Sequence, residues 1–247
     1  YAHVPDINDF TLGLKALLKP DGTITLEFPY IKKLIEYNQF DTVYHEHFSY
    51  LSLYTAERIF QMAGLRIWDV EEILTHGGSL RVYGCHIEDT RVTTDAVKKL
   101  LREEAQWGLQ GLETYRNFQN QANKVTDDLK EFLNKQKQSG KKVVGYGAAA
   151  KGNTLLNYAG IKSDLLATIY DASSAKQGLY MPGSHIPIKA PCDLKPCNTD
   201  FVLILPRNIS KEVALNIIES ISGDKLNESS IEATVEDISK KNLAKYL

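Results

Sequence analysis

The stretch Val143-Val144-Gly145-Tyr146-Gly147-Ala148-Ala149-Ala150-Lys151-Gly152-Asn153 constrains the fold of this chain more than any other. A short β-branched run passes into a Gly/Ala-rich turn and then into a predicted helix reaching about Tyr158. Leu165 to Tyr170 reads as the next strand, closed by Asp171, and Phe201 to Leu205 as a third. Pro206-Arg207-Asn208 and a helix from about Ser210 to Ser220 follow. Strands that alternate with helices are joined by crossovers, so their sheet is expected to be parallel. An α/β domain is therefore predicted over residues 140–247, with a polar, charged tail after Asp224 that composition marks as peripheral or poorly ordered.

A glycine turn between a strand and a helix brings backbone amides to a helix N-terminus. There they can meet phosphate oxygens, helped by the helix dipole. Lys151 could add a positive charge to a diphosphate, and Asp171, about two dozen residues on, stands where an acid binds ribose hydroxyls in dinucleotide folds. The glycine pattern is incomplete, because Ala150 stands at the third place. The P-loop spacing also fails, since Gly152 rather than Ser or Thr follows Lys151. A phosphate site and a plain tight turn both remain open readings. A nicotinamide cofactor at this turn is a weaker third reading.

Before this domain the chain reads as helix, strand, helix, strand, strand. Asp6 can N-cap a helix from Ile7 to about Leu18, with Phe10, Leu14, Leu17 and Leu18 as its apolar stripe. Lys19-Pro20-Asp21-Gly22 makes a turn, Thr23 to Phe28 a strand ended by Pro29, and Ile31 to Asn38 a short amphipathic segment. Thr55 is the expected N-cap of a helix reaching Ala63, closed by Gly64. Leu65 to Val70 and Ser79 to Cys85 read as strands around a flexible turn, Thr75-His76-Gly77-Gly78. This is the pattern of the second half of a doubly wound sheet ending in an antiparallel pair. Residues 1–91 are assigned to it. Residues 92–139 are polar and helical, with an interrupted stripe of Val97, Leu100, Leu101, Leu109, Leu112, Tyr115 and Phe118, and read as a helical linker.

The densest chemistry lies in Tyr44-His45-Glu46-His47-Phe48-Ser49-Tyr50. A phenol, two imidazoles and a carboxylate stand side by side, and a plain core strand would not hold a carboxylate between two histidines. His45 and His47 could ligate a metal, but no further ligand at suitable spacing is evident nearby. A polar cluster with structural duties is also open. The third reading is acid/base chemistry. A histidine suits removal of a carbon-bound proton made acidic by a neighbouring carbonyl, Glu46 could orient an imidazole, and Tyr44 could donate to an enolate oxygen. His3, at a helix entry, His76, in the Gly77-Gly78 turn, and His185, in a loop, are further histidines that loop placement alone would explain.

The totals narrow the function classes. With 29 basic and 31 acidic side chains, the chain is not expected to bind nucleic acid through bulk charge. No run of apolar residues is long enough to span a membrane. Cys85, Cys192 and Cys197 are too few for a disulfide framework and point to a reducing, cytoplasmic setting, with Cys192 and Cys197 read as ordinary thiols.

Several stretches together resemble the sugar C-methyltransferase family. They are Ala2-His3-Val4-Pro5-Asp6, Glu27-Phe28-Pro29, Gln39-Phe40-Asp41-Thr42-Val43-Tyr44-His45-Glu46-His47-Phe48-Ser49-Tyr50 and Thr75-His76-Gly77-Gly78-Ser79-Leu80-Arg81-Val82. Gly145 to Thr154, Pro182-Gly183-Ser184-His185-Ile186-Pro187-Ile188 and Leu205-Pro206-Arg207-Asn208 resemble its C-terminal domain, although the family more often has Trp at the place of Arg207. The resemblance implies the C-terminal half of a class I methyltransferase Rossmann-like sheet, a helical linker and a second Rossmann-like α/β domain. It implies S-adenosylmethionine-dependent methylation of a nucleotide-linked keto-deoxysugar, commonly at C3 of a dTDP-4-keto sugar. A binding module for nucleotide sugars without catalysis is the alternative. It further implies His47 as general base, Tyr44 and Glu46 as companions, and His3 as a second active-site histidine near the methyl donor. Tyr146, Gly147, Lys151, Asn153, His76 and Asp171 are the expected substrate-binding residues, and no metal is expected at the site. The zinc-binding cysteines and the Gly-rich adenosylmethionine loop of the family would lie before Tyr1, so this chain alone is expected to be inactive.

Overall fold

The computed structural model describes residues 1–195, 198–206 and 213–217. The chain divides into two compact units, Tyr1–Gln121 and Ala122–Leu247.

The first unit opens with helix α1, Ile7–Leu17, capped by the Asp6 side chain, which accepts from the amides of Asn8 and Asp9. Two members of its expected apolar stripe point elsewhere. Phe10 is 39% exposed and Leu17 is 86% exposed. The packed positions are Ile7, Leu14 and Leu18, joined by a buried Thr11. Thr11 completes a one-face helical spacing, and its hydroxyl is satisfied by Ile7 O at 2.6 Å and by the Tyr1 phenol at 2.8 Å.

Strand β1 (Ile24–Pro29), helix α2 (Ile31–Glu36), helix α3 (Leu53–Met62), strand β2 (Leu65–Ile73) and strand β3 (Ser79–His86) follow. The three strands form one sheet in the order β1-β3-β2, with β3 antiparallel to both neighbours. Inward side chains Ile24, Phe28, Ile67, Val70, Leu80 and Val82 meet Leu53, Ala56 and Phe60 of α3 in one core. Complete burial of Phe28 or Phe60 contributes about 1.5–3 kcal/mol each.

Ser52, not Thr55, caps α3, accepting from Thr55 N at 3.1 Å. Two further amides of that helix start, Leu53 N and Tyr54 N, donate to the carboxylate of Glu104 at 2.7 and 2.9 Å. Glu104 is fully buried and lies on helix α4, Asp95–Trp107. A carboxylate is stabilised at a helix N-terminus by the dipole and by the amides that lack carbonyl partners there. Helix α5, Leu112–Gln138, completes the polar helical stretch, and the division between the units falls within it. Leu112 leaves the expected stripe, at 73% exposed, while Val97, Leu100 and Leu109 are buried.

In the second unit, strand β4 (Val143–Tyr146), helix α6 (Ala150–Tyr158), strand β5 (Ile169–Tyr170), strand β6 (Ile188–Lys189) and strand β7 (Phe201–Ile204) build a wholly parallel sheet ordered β6-β5-β4-β7. The expected parallel α/β arrangement is present. The expected strand from Leu165 is only two residues long. The amides of Leu165 and Leu166 both donate to Lys162 O, which coils that segment into a turn. Residues 213–217 are helical, and Val213 and Ile217 join Val144, Tyr146 and Tyr170 in the core. The rest of the expected last helix, Arg207, Cys197 and the tail lie outside the described residues.

Candidate active site

The Tyr44–Tyr50 run is a loop held at both ends. On its N-terminal side a 3-10 turn, Phe40–Thr42, is buried, and Val43 N donates to Phe40 O at 3.0 Å. On its C-terminal side Leu51 bridges Tyr30 beside β1, with Ile31 N donating to Leu51 O at 3.1 Å. Within the run, His47 N closes a turn onto Tyr44 O at 3.0 Å. That turn stacks the two rings, whose centroids are 4.6 Å apart.

The entry segment of the chain joins the same loop. Phe48 N and Ser49 N both donate to Ala2 O, at 2.8 and 3.4 Å. This tie sets the His3 imidazole edge-on against His47, with centroids 4.8 Å apart. Tyr1 is fixed beside it by rings of Phe10, Phe28 and Phe60. Tyr50 completes the group, its ring edge-on to His47 at 5.9 Å and its hydroxyl donating to Thr42 O at 3.4 Å. His3, Tyr44, His47 and Tyr50 therefore make one aromatic cluster. Tyr50 was not among the expected site residues, although it closes the same run.

The rings differ in their access to solvent. His3, His45 and Glu46 are exposed, whereas Tyr44, His47 and Tyr50 are half-buried and Nδ1 of His47 is buried. Burial pushes the Tyr44 phenol above its ordinary range, and the negative charges of Glu46 and Asp41 add to the shift. Burial also raises the Tyr50 phenol. A phenol held in its neutral form is a hydrogen-bond donor. No group of three His, Cys, Asp or Glu side chains is arranged to hold a metal ion among the described residues.

The turn that carries His76 is ordered by bonds from several directions. Thr75–Gly77, expected as a turn, forms a 3-10 turn. Thr75 Oγ1 donates to Glu27 Oε1 at 2.8 Å, Ser79 Oγ donates to Thr75 O at 3.1 Å, and Gln39 Nε2 donates to Gly77 O at 3.0 Å.

In the second unit, the amides of the glycine turn are spent mostly on the end of β5 and on Asp171. Gly147, at φ +90°, donates to Tyr170 O at 2.7 Å, Ala149 N donates to Gly147 O at 2.9 Å, and Ala148 N donates to Asp171 Oδ2 at 2.7 Å. A Cβ on Gly147 would stand 2.5 Å from Pro206 Cδ, so this position needs glycine for space as well as for backbone angle. Asp171 is buried, its other oxygen accepts from Ser173 N at 2.8 Å, and Lys176 Nζ bridges Asp171 Oδ2 and Ala148 O at 3.3 and 2.8 Å. Both oxygens of Asp171 thus hold the loop. Tyr146 is buried, and its phenol is raised by that burial and by Asp171.

Next along the chain is the start of α6, where Ala150 is exposed, Lys151 half-buried and Gly152 buried. Its N-cap, Ala149, offers no side-chain acceptor, so the amides of Ala150 and Gly152 have no partner from the cap. Lys151 and Asn153 stand on the same first turn, and Asn153 Oδ1 is buried without a hydrogen bond among the described residues. A buried amide oxygen of this kind is expected to accept from a hydroxyl or a water.

Comparison with known proteins agrees with the motifs. A family model described as the C-methyltransferase C-terminal domain matches residues 74–222, more than half of the chain. The protein described as C-methyltransferase NovU, from Streptomyces niveus, is 38% identical over 216 residues, covering 87% of this chain. The match covers 51% of that relative, so the chain spans about half its length. The chain belongs to the C-methyltransferase family defined by this C-terminal domain.

Proposed function

We propose that this chain carries the proton-handling and substrate-holding residues of an enzyme that C-methylates a nucleotide-linked keto-deoxysugar, of the dTDP-4-keto type, at C3. The observation that carries the reading is the convergence of His3, Tyr44 and His47 through two backbone ties, Ala2 to Phe48 and Tyr44 to His47. These groups are the ones needed to form an enolate next to a ketone.

In the proposed chemistry, His47 takes the proton from the carbon beside the ketone. The C–H electron pair moves into the new carbon–carbon double bond and the carbonyl π pair moves onto oxygen. Tyr44, kept neutral by burial and by nearby acids, donates a hydrogen bond to that oxygen. Glu46, exposed and one residue from His47, balances the imidazolium charge as it forms. General-base catalysis of this kind is worth about 10²–10⁴ in rate.

S-adenosylmethionine supplies an electrophilic methyl group when bound. Of the residues present, His3 fits a place beside it, because its ring is exposed while its edge is packed on His47. The packing of His3 and Tyr44 on His47 would place the residue beside the methyl donor next to the proton-handling pair. Orientation of this sort lowers a barrier by removing the entropy of alignment.

For the nucleotide part, the diphosphate is assigned to the first turn of α6, with the amides of Ala150 and Gly152 and the charge of Lys151. Asn153 Oδ1 is assigned to a sugar hydroxyl. Gly147 and Tyr146 shape the turn, and Asp171 holds it through both carboxylate oxygens on the side assigned to the substrate. His76 is assigned to the substrate through its ordered turn.

The test is incubation of the full-length protein that carries this chain with methyl-labelled S-adenosylmethionine and a panel of dTDP-4-keto sugars. Label on C3 of one sugar is expected. Label on none of them, with the sugars still bound, would replace the catalytic reading with that of a binding module.

A further inference from the structure

We propose that Gln39 is a positioning residue that locks the His76-Gly77-Gly78 turn to the loop of Tyr44 and His47, so that the two segments present their groups to substrate as one unit. The proposal rests on the reading of Tyr44 and His47 as the proton-handling pair.

Gln39 sits where the two segments meet, and its backbone amide, its carbonyl and its side-chain nitrogen are each bonded. Its amide donates to Leu34 O at 2.7 Å, anchoring it to the end of α2. Its carbonyl accepts from Thr42 N at 3.0 Å and from Thr42 Oγ1 at 2.8 Å, which builds the 3-10 turn leading to Tyr44. Thr42 O in turn accepts from the Tyr50 hydroxyl. The side chain then crosses to the other segment, where Nε2 donates to Gly77 O at 3.0 Å.

The Gly77 side is shaped to receive it. Gly77 has φ +88°, and a Cβ there would stand 2.5 Å from Gln39 Nε2 and 3.0 Å from its Cδ. A Cβ at Gly77 would therefore displace the Gln39 amide from its hydrogen bond, besides straining the positive φ. The far side of the turn is fixed independently, by Thr75 Oγ1 on Glu27 and by Tyr30 N on Gly78 O at 3.0 Å. With that side held by β1, the Gln39 hydrogen bond is a direct side-chain link from the turn to the segment leading into the Tyr44 loop. A short polar link between two ordered turns fixes their separation, and small misplacements of catalytic groups carry large rate costs.

Gln39→Glu keeps the size of the side chain but sets an acceptor against the Gly77 carbonyl. Gln39→Ala removes the link. In the full-length protein both variants are expected to lower kcat about tenfold with little change in KM, the signature of lost positioning. Gly77→Ala is expected to cost less in the Gln39→Ala background than in the unaltered protein, because the contact it disrupts is already gone. Amide hydrogen exchange at Thr42, Val43 and Gly78 is expected to be about tenfold faster in both Gln39 variants, with β4 unchanged. A Gln39→Glu protein with unaltered kcat, or effects of Gln39→Ala and Gly77→Ala that simply multiply, would overturn the proposal. Unaltered exchange at Thr42 and Gly78 would overturn it even if no methyl transfer were found. Faster exchange in a protein that never transfers methyl would leave the link standing and remove the catalytic reading instead.

Discussion

His47 and Tyr44 carry the sharpest expectations at the scale of single residues. Tyr44→Phe removes the proposed donor to the enolate oxygen and is expected to lower kcat by about a hundredfold with the fold intact, measured by steady-state methyl transfer and circular dichroism. The Tyr44 phenol is raised by burial first and by Glu46 and Asp41 after it. Its proton is therefore held more tightly in the folded protein, and the associated stability is present below the ordinary phenol range and lost as pH rises through the raised value. The kcat profile is accordingly expected to show no limb due to Tyr44 below about pH 10. An alkaline limb near pH 8 that vanishes in Tyr44→Phe would contradict this. The run itself was legible in the sequence, because no ordinary core or linker concentrates a phenol, two imidazoles and a carboxylate. Its neighbour His3 was not legible from composition or spacing. It is brought in by two bonds to the Ala2 carbonyl, which local patterns do not encode.

Helix starts and turns decide what those residues can reach. Glu104 is fully buried and accepts two amides at the start of α3, the helix that follows the Tyr44 loop. Glu104→Ala leaves a buried amide, Leu53 N, and a part-buried one, Tyr54 N, without an acceptor and is expected to destabilise the protein by about 3 kcal/mol, read from urea unfolding. A loss below about 0.5 kcal/mol, within the range of an ordinary surface change, would contradict the cap. Gly147→Ala places a Cβ at φ +90° and 2.5 Å from Pro206 Cδ. It is expected to cost about 1–3 kcal/mol and to weaken nucleotide-sugar binding in calorimetry. Asp6 was readable as a cap because its acceptor and its amides are neighbours in sequence. Ser52 was missed in favour of Thr55, and the helix start also depends on Glu104, some fifty residues away. Strand β6 was invisible for a related reason. Two residues, Ile188 and Lys189, make no periodic pattern, and only pairing with β5 makes them a strand.

On the scale of the molecule, alternation of apolar strands with helices correctly implied a parallel sheet after residue 140, and the order β6-β5-β4-β7 realises it. The antiparallel pair of β2 and β3 was legible as two strands around a turn, and β1 as a strand ended by Pro29, but the antiparallel pairing of β1 with β3 was not. No helix among the described residues is long and apolar enough to cross a membrane. The central claim is that the Tyr44–Tyr50 loop removes a carbon-bound proton from a keto sugar. Proton removal can be read apart from methyl transfer, by following deuterium from solvent into the carbon beside the ketone. In the full-length protein with a dTDP-4-keto sugar substrate, the unaltered enzyme is expected to wash deuterium into that carbon, and His47→Ala to slow the wash-in by about 10²–10⁴. Wash-in at the unaltered rate in a folded His47→Ala protein would contradict the account.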